Sequence, residues 1–179
     1  KQVPVLINYS YKSERFNKKP DKFDLNLIQE IEAKKIINWI PITPLPSGVN
    51  TSQPIKSHGF TYAHQFYTRR ALLTLSKAYS ATKTSPEKIR RYLIYAIEQS
   101  VLGFSKVARY VPSHFSQVNQ YLSGTLYVGS QVVDVSFDYI LKGKFKILIA
   151  MLSDKNYGGK ALTQTGSASS LLIPRDSID

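Results

Sequence analysis

Three histidines, His58, His64 and His114, are the residues best suited to proton transfer or metal ligation at neutral pH. Nucleophilic catalysis needs Ser or Cys beside a His that a carboxylate orients. No histidine sits with a nucleophile-elbow motif, and the chain has no cysteine. His58 and His64 are six positions apart rather than the four that place two ligands on one helix face, and no carboxylate lies between them. Their spacing predicts hydrogen-bonding supports. Asp134 and Asp138 are one helical turn apart, and a solvated helix face explains them better than general acid–base work. Neither a G-x-G-x-x-G nor a G-x-x-x-x-G-K motif is present, and Gly158-Gly159-Lys160 reads as a solvent turn. The residues therefore offer no catalytic, metal-binding or cofactor set of this chain's own.

The cations offer a different chemistry. Residues 56–110 hold ten Lys and Arg against two carboxylates, a net +8, while residues 1–55 carry +3 and residues 111–179 carry +1. Two-thirds of the net +12 charge thus lies in one segment, which points to a polyanionic partner. That segment opens on HGFTYAHQFYTRRALLTLSKAY, residues 58–79. Arg69 and Arg70 start one helical pattern there, while Lys88, Arg90 and Arg91 lie in the first turns of the next. Arginine forks suit phosphates and guanine edges, lysines suit phosphates, and the backbone N–H groups of a helix N-terminus at Thr68 also suit a phosphate. Tyr62, Phe66, Tyr67 and Tyr79 can stack on bases, although Phe66 and Tyr79 fit a core better. Adjacent helical residues diverge by about a quarter-turn, so one of Arg69 and Arg70 can pair internally while the other faces outward. The residues expected to contact nucleic acid are Lys56, His64, Tyr67, Arg69, Arg70, Lys77, Arg90, Arg91 and Arg109.

The elements that must carry these residues read as follows. Residues 3–9 predict a strand and residues 10–22 a polar, lysine-rich loop. Asp24 caps a helix reaching about Asn38, with Leu25, Ile28 and Ile31 in register. Residues 41–54, with four prolines and a glycine, predict irregular structure, ordered at its start by Trp39. Thr68 caps a helix with Leu72, Leu75 and Tyr79 on one face. Ser85-Pro86-Glu87 starts another, with Ile89, Leu93, Ala96, Ile97, Val101 and Phe104 marking a buried face over nearly five turns. Residues 110–123 are polar and irregular, and Thr125–Val128 predicts a short strand. Residues 131–141 suit a helix that Gly143 ends and Lys144–Leu152 resumes, but VVDVSFDY at 132–139 also alternates as a strand would. Residues 156–170 are rich in Gly, Ser and Thr, with one weak strand at 162–167. The fold class expected is α+β, mainly α-helical with a few short strands, with a domain over residues 1–155 and a tail over 156–179.

The bulk numbers agree with one domain: 179 residues, 42% hydrophobic and 20% charged. The absence of cysteine excludes disulfides and thiolate zinc sites and fits a reducing cytoplasm. The longest apolar run, ILIAML at 147–152, is too short to span a bilayer, so no membrane partner is expected. Lys1 in place of Met reads as a chain taken from within a longer one.

Several blocks resemble a group of bacterial DNA amino-methyltransferases that modify adenine N6 or cytosine N4. They are PDKFDLNLIQEIE at 20–32, WIPITPLPSG at 39–48, HGFTYAHQFYTRRALLTLS at 58–76 and LSGTLYV at 122–128. FYTRRALLTLS and SGTLYV are the most specific of these. IPRDSID at 173–179 resembles the stretch leading into the catalytic Asp/Asn-Pro-Pro-Tyr/Phe motif of that group. The chain itself has no Pro-Pro motif, no glycine-rich cofactor motif and none of the cysteine-rich segment that many relatives carry. The resemblance therefore implies an inserted target-recognition region, inactive alone, that binds double-stranded DNA beside the rest of a bacterial, cytoplasmic parent enzyme. S-adenosylmethionine would belong to that parent. RNA stays an alternative partner, because the aromatics suit single strands too. The rival readings are a dimerising or domain-bridging insert and, least favoured, a complete small enzyme.

Overall fold

The computed structural model describes residues 2–153. The expected strand at 162–167 lies outside them, as does the whole tail at 156–179. The described chain is a mainly helical α+β domain: a two-stranded antiparallel hairpin followed by six helices. None of these helices is long and apolar enough to cross a membrane.

The hairpin pairs β1 (Ile7–Tyr11) with β2 (Glu14–Lys18), Tyr9 facing Phe16 and Asn8 facing Asn17. Lys12 and Ser13 turn the chain with φ of 45° and 68°, the two left-handed residues that a tight hairpin turn of the right twist requires. The first strand thus starts later than expected, and the stretch read as a polar loop supplies its partner. Neither Lys12 nor Ser13 belongs to the Asn-Gly type of turn signal, so the sequence does not announce the reversal.

Helix α1 (Lys22–Ala33) is capped by Asp21, not Asp24. The Asp21 carboxylate accepts the Asp24 N–H at 3.1 Å while the Asp24 carboxylate accepts the Asp21 N–H at 2.9 Å. Lys18 holds both acids, at 2.9 and 2.8 Å. These contacts depress the Asp21 carboxyl to about 2, chiefly through Lys18.

The proline-rich stretch is not irregular throughout, since α2 (Val49–His58) forms within and beyond it. Pro41, Pro44 and Pro46 all precede the helix, and only Pro54 is inside, where it removes one helical bond. The Thr51 hydroxyl lies on the Pro46 and Gly48 carbonyls, and the Gly59 N–H closes the end at φ 68°. Helix α3 (Arg69–Thr82) starts at Thr68 as its sequence predicts, the hydroxyl accepting the Ala71 N–H at 3.1 Å. In α4 (Glu87–Glu98) the cap is Pro86, and Ser85 makes no capping bond. The expected five-turn helix ends early and continues as the single turn α5 (Val101–Phe104), while Ile89 is exposed.

Residues 125–128 form no strand. Val128 is buried instead as an irregular wall of the core. Residues 131–136 belong to no helix or strand, with Val132 bridged to Arg109, and α6 (Phe137–Ser153) runs uninterrupted through Gly143. A mid-helix glycine costs only about 1 kcal/mol, and Ile140 and Leu148, both buried, hold the helix on either side.

Two hydrophobic clusters hold the domain. One joins Ala71, Phe104, Val135 and Ile140; the other joins Phe66, Val107 and Val128. The Tyr67 ring touches both.

Candidate nucleic-acid interface

The start of α3 is the junction of the molecule. The Arg69 guanidinium donates to the Lys34 carbonyl through Nε at 3.0 Å and Nη2 at 2.5 Å. Lys34 is the residue that ends α1, and α1 has no basic residue in its own last turn. Arg69 therefore supplies the cation and the hydrogen bonds that the exposed carbonyls of a helix C-terminus need.

Arg70 points elsewhere. Its Nε and Nη2 each lie 3.0 Å from an Asp134 carboxylate oxygen, and Nη2 also donates to the Asp134 carbonyl at 2.6 Å. The Thr68 hydroxyl donates to the same carboxylate at 3.2 Å. Asp134 thus stands at the N-terminus of α3, where the helix dipole favours a negative charge. The position expected for a phosphate is occupied by a side chain of the same protein. Asp134 is not on a helix with Asp138, whose carboxylate pairs with Lys142 at 2.7 Å. The Arg70 partner is 64 residues away, and no local pattern connects them.

His64 acts as a support. Its Nδ1 lies 3.1 Å from the Pro41 carbonyl, which can only accept, so Nδ1 carries the proton. Its backbone N–H bonds the same oxygen. Tyr67 is half-buried between the clusters, and burial raises the pKa of its phenol. The Lys106 ammonium donates to the Gln65 carbonyl at 2.8 Å and lies over the Phe60 ring. Burial lowers its pKa, against an opposing pull from Glu32. On α4, Arg90 and Arg91 share Glu87, at 3.4 and 3.1 Å, and these bonds, Arg91's first, lower the Glu87 carboxyl.

The nine expected contact residues therefore divide. His64, Tyr67, Arg69 and Arg70 are drawn into the fold. Arg90 and Arg91 are shared with a carboxylate, Arg91 being almost wholly exposed. Lys56, Lys77 and Arg109 are exposed and make no ion pair among the described residues, and Lys88 joins them. Among the described residues no cluster of His, Asp and Glu could hold a metal ion.

No protein-family model, curated protein or solved structure matches this chain.

Proposed function

We propose that this chain is the DNA-binding, target-recognition region of an S-adenosylmethionine-dependent DNA amino-methyltransferase of the bacterial cytoplasm. The observation that carries the reading is the surplus of exposed cations between residues 56 and 110. Asp134 is the only carboxylate outside that segment that pairs with one of its cations among the described residues. Lys56, Lys77, Lys88 and Arg109 face solvent without a carboxylate, as groups that release counterions from a phosphate backbone do. The sequence blocks that resemble such enzymes supply the methyltransferase context.

The described residues do not fit S-adenosylmethionine. Their strands form only a hairpin, and no strand leads through a glycine-rich turn into a helix. In this reading the cofactor and the methyl transfer belong to the rest of the parent enzyme. This chain grips phosphates and reads bases, and the parent turns the target base out of the stack.

A salt titration of binding to a DNA duplex tests the reading. Affinity that falls steeply as salt rises supports it; no binding at low salt, or a flat salt response, refutes it. A Pro-Pro-Tyr/Phe motif encoded directly after Asp179 would support the enzyme class, and its absence would remove that part.

A second reading, a protein-interaction insert, is favoured by the end of α6. Ile147, Ile149, Met151 and Leu152 are all exposed there, although they point in different directions around the helix. A helix apolar on all sides is normally covered. Beside it, Tyr95, Gln99, Lys144 and Met151 line a shallow groove between α4 and α6. A stable dimer in light scattering, with no salt-dependent DNA binding, would establish this reading over the first.

A further inference from the structure

The hairpin has a polar face whose composition ordinary strand formation does not explain. Directly opposed residues share a face, so the register places Asn8, Ser10, Arg15 and Asn17 on one side. Ile7, Tyr9, Tyr11 and Phe16 lie on the other, together with the hairpin's single carboxylate, Glu14. Asparagine is among the residues that strands disfavour, yet Asn8 and Asn17 face one another one pair in from the open end of the ribbon. The side chains of Asn8, Ser10, Arg15 and Asn17 make no hydrogen bond among the described residues. Arg15 is exposed and stands on the Phe115 ring, 5.2 Å from its centroid, which fixes the direction of its fork. Lys12 forms the tip.

We infer that this face of the β1–β2 ribbon enters the major groove of double-stranded DNA and reads base edges there. The inference rests on the DNA-binding reading and adds the reading element to it. The dimensions agree: five residues per strand span about 17 Å, and a groove about 12 Å wide admits a two-stranded ribbon. The chemistry agrees as well. Asn pairs with adenine N6 and N7, Arg pairs with guanine O6 and N7, and Ser bonds either. No carboxylate on this face repels phosphate. Lys12 at the tip and Lys19 beyond β2 flank the ribbon with the charge that backbone contact needs. The phosphate grip thus falls to residues 56–110, and base reading falls to a segment outside the main charge cluster.

The test is selection from a pool of DNA duplexes with a randomised centre, using the full 179-residue chain and its Asn8→Val/Asn17→Val variant. Valine favours strands, so the ribbon is retained, and circular dichroism checks it. The wild type should enrich a motif and protect guanine N7, a major-groove atom, from dimethyl sulfate. The variant should lose at least about fivefold discrimination at one or more motif positions. Its affinity for the unselected pool should stay within about threefold, because phosphate contacts supply that affinity. Arg15→Ala should relax a different position and serves if the double variant does not fold. An unchanged motif in both variants, a wild type that binds without enriching any motif, or unprotected guanines would overturn the ribbon assignment alone. Equal competition by an RNA duplex, whose deep major groove excludes a ribbon, would also overturn it. A wild type that binds no DNA overturns this inference and the reading beneath it.

Discussion

Arg70 and Asp134, 64 residues apart, meet at the N-terminus of α3 through two charge-assisted bonds of 3.0 Å. Arg70 also holds the Asp134 carbonyl at 2.6 Å, so it fixes the backbone leading into α6 as well as the Asp134 side chain. Both groups are part-exposed, which limits the Coulomb contribution. Two consecutive arginines thus join three helices: Arg69 ends α1, and Arg70 orients the approach to α6.

Arg70→Ala should destabilise the domain by about 1 to 2 kcal/mol, the range for removing hydrogen bonds to a charged group near the surface. Arg70→Lys should recover only part of this, because an ammonium cannot reproduce the fork. Urea denaturation of the three proteins measures it. Asp134→Asn should fall between wild type and Arg70→Ala, since the backbone contact persists.

Arg69→Ala should loosen the end of α1 while leaving α3 formed. Hydrogen exchange should speed up in the last turn of α1, near Ile31 and Ala33, with little change across Leu72–Ser76. If the two helices respond equally, Arg69 is not the local cap of α1.

Replacing Lys56, Lys77, Lys88 and Arg109 singly with alanine should leave stability within about 0.5 kcal/mol, as expected at surface positions free of special contacts. Each substitution should make the plot of log affinity for DNA against log salt shallower, by about 0.9 for every phosphate that the chain no longer neutralises. Substituting Arg69 or Arg70 should change stability more than this slope. The reverse pattern would place the DNA surface at the start of α3.

The Asp21 carboxyl titrates near 2 in the folded chain, below its ordinary 3.8. A depressed carboxyl contributes stability above its unfolded value and loses it as pH falls toward the folded one. The first turn of α1 should therefore fray between about pH 4 and 2, visible as faster exchange of the Asp24 amide. Asp21→Ser keeps a cap without the titrating carboxylate and should weaken that dependence.

Lys106 and Tyr67 give opposite responses at alkaline pH. Burial lowers Lys106 below 10.5, so the unfolded chain binds its proton more tightly and stability rises as pH climbs through that window. Burial raises Tyr67 above 10, so stability falls once the unfolded phenol ionises. Lys106→Met should remove the rise and Tyr67→Phe the fall, in thermal midpoints measured from about pH 8 to 11.

The Thr68 cap is legible in the sequence because a capping threonine and the N–H it satisfies are three residues apart in any helix that begins there. The inner face of α3, at Leu72, Leu75 and Tyr79, is legible for the same reason of short period. Asp21 and Asp24 are harder to tell apart, because a capping box uses both acids and composition does not distinguish the one outside the helix from the one inside. Helix α2 is hidden by its prolines: three precede it, and only their position, not their number, decides whether a helix can form. At 132–139 both periods are present, and the Arg109–Val132 bridge with the Arg70 clamp keeps residues 131–136 out of the helix that starts at Phe137.

Composition and local spacing alone determined that this is a mainly helical, cysteine-free domain with its positive charge concentrated between residues 56 and 110. Those properties depend on residue types and on neighbours a few positions apart. Only the tertiary structure decided which cations remain for a partner. Lys106 is taken by the Gln65 carbonyl, Arg69 by Lys34, and Arg70 by Asp134, each across more than thirty residues. Charge is a property of the sequence, but its neutralisation depends on distance, and distances between remote residues exist only after the chain has folded.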